Sequence, residues 1–85
     1  MPEEKMIGTV IDYFAKPQVA AITITDGEIK IGDTLLFKGA TTNFEQKIES
    51  MQIDRVPVQN AKTGQSVGIK VKERVRPNDK VFLLI

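Results

Sequence analysis

Ile31-Gly32-Asp33-Thr34-Leu35-Leu36, Thr63-Gly64-Gln65-Ser66-Val67-Gly68 and Pro77-Asn78-Asp79-Lys80-Val81-Phe82 carry one small pattern three times. A turn residue and a polar residue launch a short apolar run. Glycine takes a positive φ at no steric cost, and Pro-Asn-Asp serves the same end through a fixed φ and side-chain turn bonds. The apolar residues that follow are those of a half-buried strand. Three such launches in 85 residues predict a small all-β domain of tightly connected strands.

The runs between the launches read the same way. Met6 to Phe14 is rich in β-branched and aromatic residues and is expected as the first strand. Ala15-Lys16-Pro17-Gln18 is a turn, and Val19 to Thr25 is a second strand closing an antiparallel hairpin with the first. Small Ala20 and Ala21 mark a place where two backbones approach. Asp26-Gly27 is a tight-turn signal, and Glu28 to Asp33 is a connecting stretch with Ile29 and Ile31 on one side. Thr34 to Lys38 is the third strand and Phe44 to Asp54 the fourth. In the latter Ile48, Met51 and Ile53 face inward, while Lys47, Glu49 and Gln52 face water. That spacing breaks strict alternation and predicts a bulge near Ser50. Val56-Pro57-Val58 and Asn60 to Gly64 read as loop. Ser66 to Val71, extending toward Arg74, is the fifth strand and Lys80 to Leu84 the sixth.

No stretch shows three turns of helical periodicity, and no linker or low-complexity segment divides the chain. The expectation is one domain over residues 1–85, with residues 1–5 a solvated lead-in. Six or seven short strands this close together suit a small closed antiparallel barrel, which also removes exposed sheet edges. Its core is expected to hold Val10, Ile22, Ile24, Leu35, Phe37, Ile48, Ile53, Val67, Ile69, Val81 and Leu83.

Composition narrows the chemistry. The 41% hydrophobic content is too high for a disordered chain. Absence of Cys removes disulfides, thiolate metal sites and thiol nucleophiles, and absence of His removes the commonest general base and metal ligand. Neither GxxxxGK[ST] nor GxGxxG occurs, so neither route to a bound nucleotide is present. Asp12, Asp26, Asp33, Glu45, Glu49 and Asp54 are scattered through turns and solvent faces. No catalytic, cofactor or metal residues are therefore expected, and the chain reads as a non-enzyme. No apolar run approaches the roughly 20 residues that span a bilayer. The reading is a cytoplasmic protein with no membrane partner.

Net charge is +1, unevenly spread. Residues 1–44 hold 4 basic and 6 acidic side chains (net −2), and residues 45–85 hold 8 and 5 (net +3). Within Ile69-Lys70-Val71-Lys72-Glu73-Arg74-Val75-Arg76 the apolar residues take one parity. Lys70, Lys72, Arg74 and Arg76 take the other. In strand geometry these cations line one face about 6.6 Å apart. Such a row can track a nucleic-acid backbone, with Lys47, Lys62 and Lys80 as further candidates. The same row also reads as a solvated face, since lysine and arginine guard sheet edges. One Tyr and four Phe give no evident base-stacking platform.

The ordered pieces resemble domain 2 of translational GTPases, the elongation factor Tu barrel. They are Gly8-Thr9-Val10; Gly27 with Ile29-Lys30-Ile31-Gly32-Asp33-Thr34-Leu35; Ile48 to Ile53; Ala61 to Ile69; and Asp79-Lys80-Val81. The resemblance covers residues 6 to 84. It departs at Pro77-Asn78, where the family often places Gly, and no GTPase domain accompanies it here. A similar barrel closes the C-terminus of a collagenase-type peptidase family as an accessory domain. The first resemblance implies a module that binds RNA, tRNA or ribosomal. The second implies a protein-interaction module docking to a peptidase or another partner chain without RNA.

Overall fold

The structure is a computed structural model that describes residues 4–40 and 42–84. Ten strands are present among them: β1 (Glu4–Phe14), β2 (Val19–Ile24), β3 (Glu28–Lys30), β4 (Thr34–Lys38), β5 (Asn43–Lys47), β6 (Met51–Ile53), β7 (Val56–Val58), β8 (Asn60–Lys62), β9 (Ser66–Lys70) and β10 (Lys80–Leu84). Every pairing is antiparallel. Eight strands form one sheet in the order β5-β4-β10-β1-β2-β9-β6-β7, and β3 pairs with β8 in a second. No described residue is helical.

All three launches adopt one geometry. In Lys30-Ile31-Gly32-Asp33 the Asp33 N–H donates to the Lys30 C=O at 3.0 Å, and the Lys30 N–H donates back to Asp33 Oδ2 at 3.0 Å. Lys62-Thr63-Gly64-Gln65 repeats both bonds at 3.0 and 2.9 Å, with Gln65 Oε1 as the acceptor. Arg76-Pro77-Asn78-Asp79 repeats them at 3.1 and 2.9 Å, with Asp79 Oδ2 as the acceptor. The third residue of each turn has positive φ: 100° at Gly32, 92° at Gly64 and 77° at Asn78. This is the type II pattern, which admits Gly or Asn at that place and accepts Pro just before it. The Pro77-Asn78 departure therefore preserves the shape of the turn.

The fourth strand expected over Phe44–Asp54 is interrupted. β5 ends at Lys47 and β6 begins at Met51. Between them Ile48 donates its N–H to the Asp33 C=O and accepts the Gly32 N–H, so the chain leaves one pairing before starting the next. Bulges lie instead in β1, between Met6 and Gly8 opposite β10 and between Val10 and Asp12 opposite β2. The extra residue Ile7 is buried and Ile11 is exposed. The Val56-Pro57-Val58 stretch, expected as loop, is β7. Ile53 pairs with Val56 across the two-residue turn Asp54-Arg55, whose φ values of 52° and 65° are those of a type I′ hairpin. β1 begins at Glu4, so Glu4 and Lys5, expected in the lead-in, pair with Leu84 and Leu83. Residues 1–3 of that lead-in lie outside the described residues.

A closed barrel was expected. The fold is all-β and antiparallel, but its ladder ends at β5 and β7, and no backbone pairing joins those two strands. Pro57 in β7 lacks the N–H that continued pairing needs. The β3–β8 pair joins the two halves elsewhere. Ile29 faces Ala61 across it, both buried, and Ile24 and Gly27 extend the bonding to Gln65, Gly64 and Thr63.

The core contains Ile7, Val10, Ala20, Ile22, Ile24, Ile29, Leu35, Phe37, Phe44, Ile48, Met51, Ala61, Val67, Ile69, Val71, Val75 and Val81. Phe37 and Phe44 stack across β4–β5 with centroids 5.0 Å apart. Of the expected core, Ile53 and Leu83 are only partly buried. Ile31, expected beside Ile29, is exposed because it occupies the second position of the first turn.

Candidate functional site

β9 ends at Lys70, so the expected cationic row does not continue as a strand. Past Lys70 the backbone takes other partners. Val71 donates its N–H to the Gln18 C=O at 2.8 Å, and Lys72 donates its N–H to Gln46 Oε1 at 2.8 Å. Val71, Val75 and Asp79 are buried while Lys72, Arg74 and Arg76 are exposed. The inside-outside pattern read from the sequence thus survives, but without a ladder to set a regular spacing between the cations.

The seven candidate cations fall in different places. Lys47, at the end of β5, Lys70 and Lys72 border one cleft of about 490 Å³, with Gln18, Gln46 and Glu49 on its walls. Gln46 spans the gap between β5 and the chain leaving β9. Its Nε2 donates to the Lys70 C=O at 2.7 Å, while its Oε1 accepts from Lys72. Lys62 borders a separate depression of about 320 Å³ with Glu28 and Asn60. Lys80 opens β10 opposite Lys38, which Glu4 holds at 3.1 Å and which lies 5.4 Å from the Phe82 ring centroid. Arg74 and Arg76 border none of these depressions. The structure therefore brings together three of the seven.

A second surface was not singled out from the sequence. An apolar groove of about 600 Å³ runs over the outer face of β2, β9 and β6, lined by Phe14, Pro17, Val19, Ala21 and Gly68. Phe14 is 50% exposed, and Val56 on neighbouring β7 is 59% exposed. Ala21 pairs with Gly68, and a side chain at Gly68 would press on Val19 Cγ1 at 3.2 Å. The small residues at 20 and 21 pair with Ile69 and Gly68 of β9. That their outer side forms a groove depends on β9 and β6 lying beside them, a pairing with no local signal.

Among the described residues no helix is long and apolar enough to cross a membrane.

No protein-family model matches the chain. It is 43% identical over 79 residues to an uncharacterized protease of Methanocaldococcus jannaschii, covering 92% of this chain and 19% of that protein. It is 38% identical over 81 residues to a collagenase of Porphyromonas gingivalis, covering 94% of this chain and 22% of that one. The chain thus spans about a fifth of the length of the curated relatives it matches. In structure it is similar to the C-terminal domain of a Geobacillus thermoleovorans protein designated a U32 peptidase. The TM-score is 0.86 with 26% identity, over 93% of this chain and 91% of that one. It also superposes on part of GDP-bound aIF5B from Aeropyrum pernix, with a TM-score of 0.64 and 11% identity over 96% of this chain and 14% of that one. That second likeness is one of fold alone. The chain is thus similar, in sequence and in backbone, to a domain carried by larger proteins named as peptidases.

Proposed function

We propose that this chain is a non-catalytic accessory module that docks to a peptidase, as a neighbouring domain or as a separate chain. The observation that carries this reading is its likeness, over nine-tenths of its length, to the C-terminal domain of a U32 peptidase. Two named proteases with which it shares about two residues in five support the same assignment. The non-catalytic part is supported by composition, since 85 residues contain neither His nor Cys. The apolar groove at Phe14 offers the surface for docking, because exposed apolar patches are where protein partners bury area. RNA binding through Lys70, Lys72, Arg74 and Arg76, with Lys47, Lys62 and Lys80, is the competing reading. None of the comparisons supports it, since the likeness to aIF5B is one of fold alone.

The test is affinity capture of the tagged chain from a native lysate of its source cells, with and without nuclease. Recovery of a U32-type peptidase in both samples is the expected result. Recovery only of ribosomal components that nuclease removes overturns the reading. So does peptide-bond turnover by the pure chain that a single substitution abolishes.

A further inference from the structure

Lys47 and the Lys70–Lys72 segment are more than twenty positions apart in sequence and meet round one cleft. All three lysines are exposed, and none has an ion-pair partner among the described residues. Glu49 is the one acidic residue on the walls. Buried Val71 forms part of the floor, and the Gln46 amide is committed at both ends to Lys70 and Lys72. The cleft therefore presents three lysines against one glutamate.

The backbone beside it is also open. Among the described residues β5 is an end strand, paired only with β4. Just beyond β5, the Ile48 N–H bonds the Asp33 C=O. Just before it, the Thr42 C=O accepts the Gly39 N–H. Bonds toward one neighbour fall on alternate residues of an antiparallel strand. Even-numbered residues here face β4, so Asn43, Glu45 and Lys47 turn their N–H and C=O groups to the free edge. Lys47 thus offers the cleft both a cation and unpaired backbone groups. On the opposite wall Gln18 holds φ at 56°, a left-handed conformation uncommon for its type, and its C=O accepts the Val71 N–H. That bond fixes the segment carrying Lys70 and Lys72.

We propose that this cleft receives an extended acidic segment of a partner protein. Its carboxylates are held by Lys47, Lys70 and Lys72 and its main chain by the free edge of β5. The proposal rests on the docking-module reading and names the chemistry of one contact. A peptide fits better than RNA for two reasons. No aromatic residue lines the cleft, so a base finds nothing to stack on. An open strand edge, by contrast, complements the alternating donors and acceptors of an extended peptide.

The experiment titrates the isotope-labelled 85-residue chain with hexaglutamate and follows its amide resonances. Hexaglutamine, inorganic phosphate and hexauridylate serve as comparators. Hexaglutamate is expected to shift Lys47, Glu49, Lys70 and Lys72 selectively, and hexaglutamine is not. Serine at each lysine in turn should weaken hexaglutamate about threefold. The triple variant should weaken it tenfold or more, and Lys16→Ser should leave it unchanged. Four results overturn the proposal: shifts spread evenly over all lysines, a triple variant that binds as the parent does, phosphate reproducing the same shifts at the same concentration, or hexauridylate binding more tightly than hexaglutamate. Hexaglutamate contains no peptidase. Failure here leaves the docking-module reading standing, and failure of the lysate capture leaves the titration result intact.

Discussion

At the residue scale the two demands on glycine separate cleanly. Gly64 has φ 92° and a side chain there would enter open space, so its requirement is conformational. Asn78 meets the same requirement at 77° in the equivalent turn. Left-handed backbone costs an ordinary L-residue about 1–2 kcal/mol, and less for Asn. Gly64→Asn should therefore lower stability by less than about 1 kcal/mol and Gly64→Val by about 2 kcal/mol or more. Urea midpoints at constant slope measure the difference. Gly39 has the other requirement, because a Cβ there would collide with the Asp79 carboxylate that closes the third turn. Gly39→Ala should cost about 1–3 kcal/mol by overpacking. The cost should shrink in an Asp79→Ala background, since the two residues touch and their effects do not add.

At the element scale β9 ties the molecule together. It lies between β2 and β6, and Ile69, fully buried, pairs with Ala20 on one side and Met51 on the other. Ile69→Ala should cost about 2–5 kcal/mol. A variant as stable as the parent in chemical denaturation contradicts that packing. Gln46 does a different task, bridging the open side of the sheet where no ladder runs. Gln46→Ala should cost about 1–2 kcal/mol, two hydrogen bonds less their exchange with water. It should also speed amide exchange at Lys72 more than at Ile22, which pairs with Val10 on β1 and Val67 on β9. Burial parity past Lys70 was readable from Val71 and Val75. Where the strand stopped was not, because Val71 and Lys72 give their N–H groups to Gln18 and Gln46, partners 53 and 26 positions away.

At the scale of the whole molecule the free surfaces matter most. Phe14 is half exposed and contributes to no core contact network, so Phe14→Ser should leave stability within about 0.5 kcal/mol. Under the docking reading it should still reduce recovery of the peptidase from lysate. Association through an apolar face should persist at high salt, whereas phosphate contacts weaken steeply. The Lys72→Ser, Arg74→Ser double variant makes the converse comparison. Recovery of peptidase through the Phe14 groove is expected to fall but not to vanish, since Lys72 also borders the lysine cleft while Phe14 does not. If the variant instead abolishes a salt-sensitive RNA association, the competing reading gains its site.

The all-β class, the three turns and most of the core are legible in the sequence. Each depends on residues within four or five positions of one another: a positive-φ residue at a fixed place, a polar acceptor beside it, apolar residues at period two. Val10, Ile22, Ile24, Leu35, Phe37, Ile48, Val67, Ile69 and Val81 were identified that way and are buried. Tertiary structure alone decided the rest. The bulges in β1 change which residues face inward, because register there answers to β10 and β2 together. The sheet stays unpaired between β5 and β7. Lys47 meets Lys70 and Lys72, while Lys62 and Lys80 do not join them. These outcomes depend on which strands become neighbours across long sequence distances, and local composition carries no record of that choice.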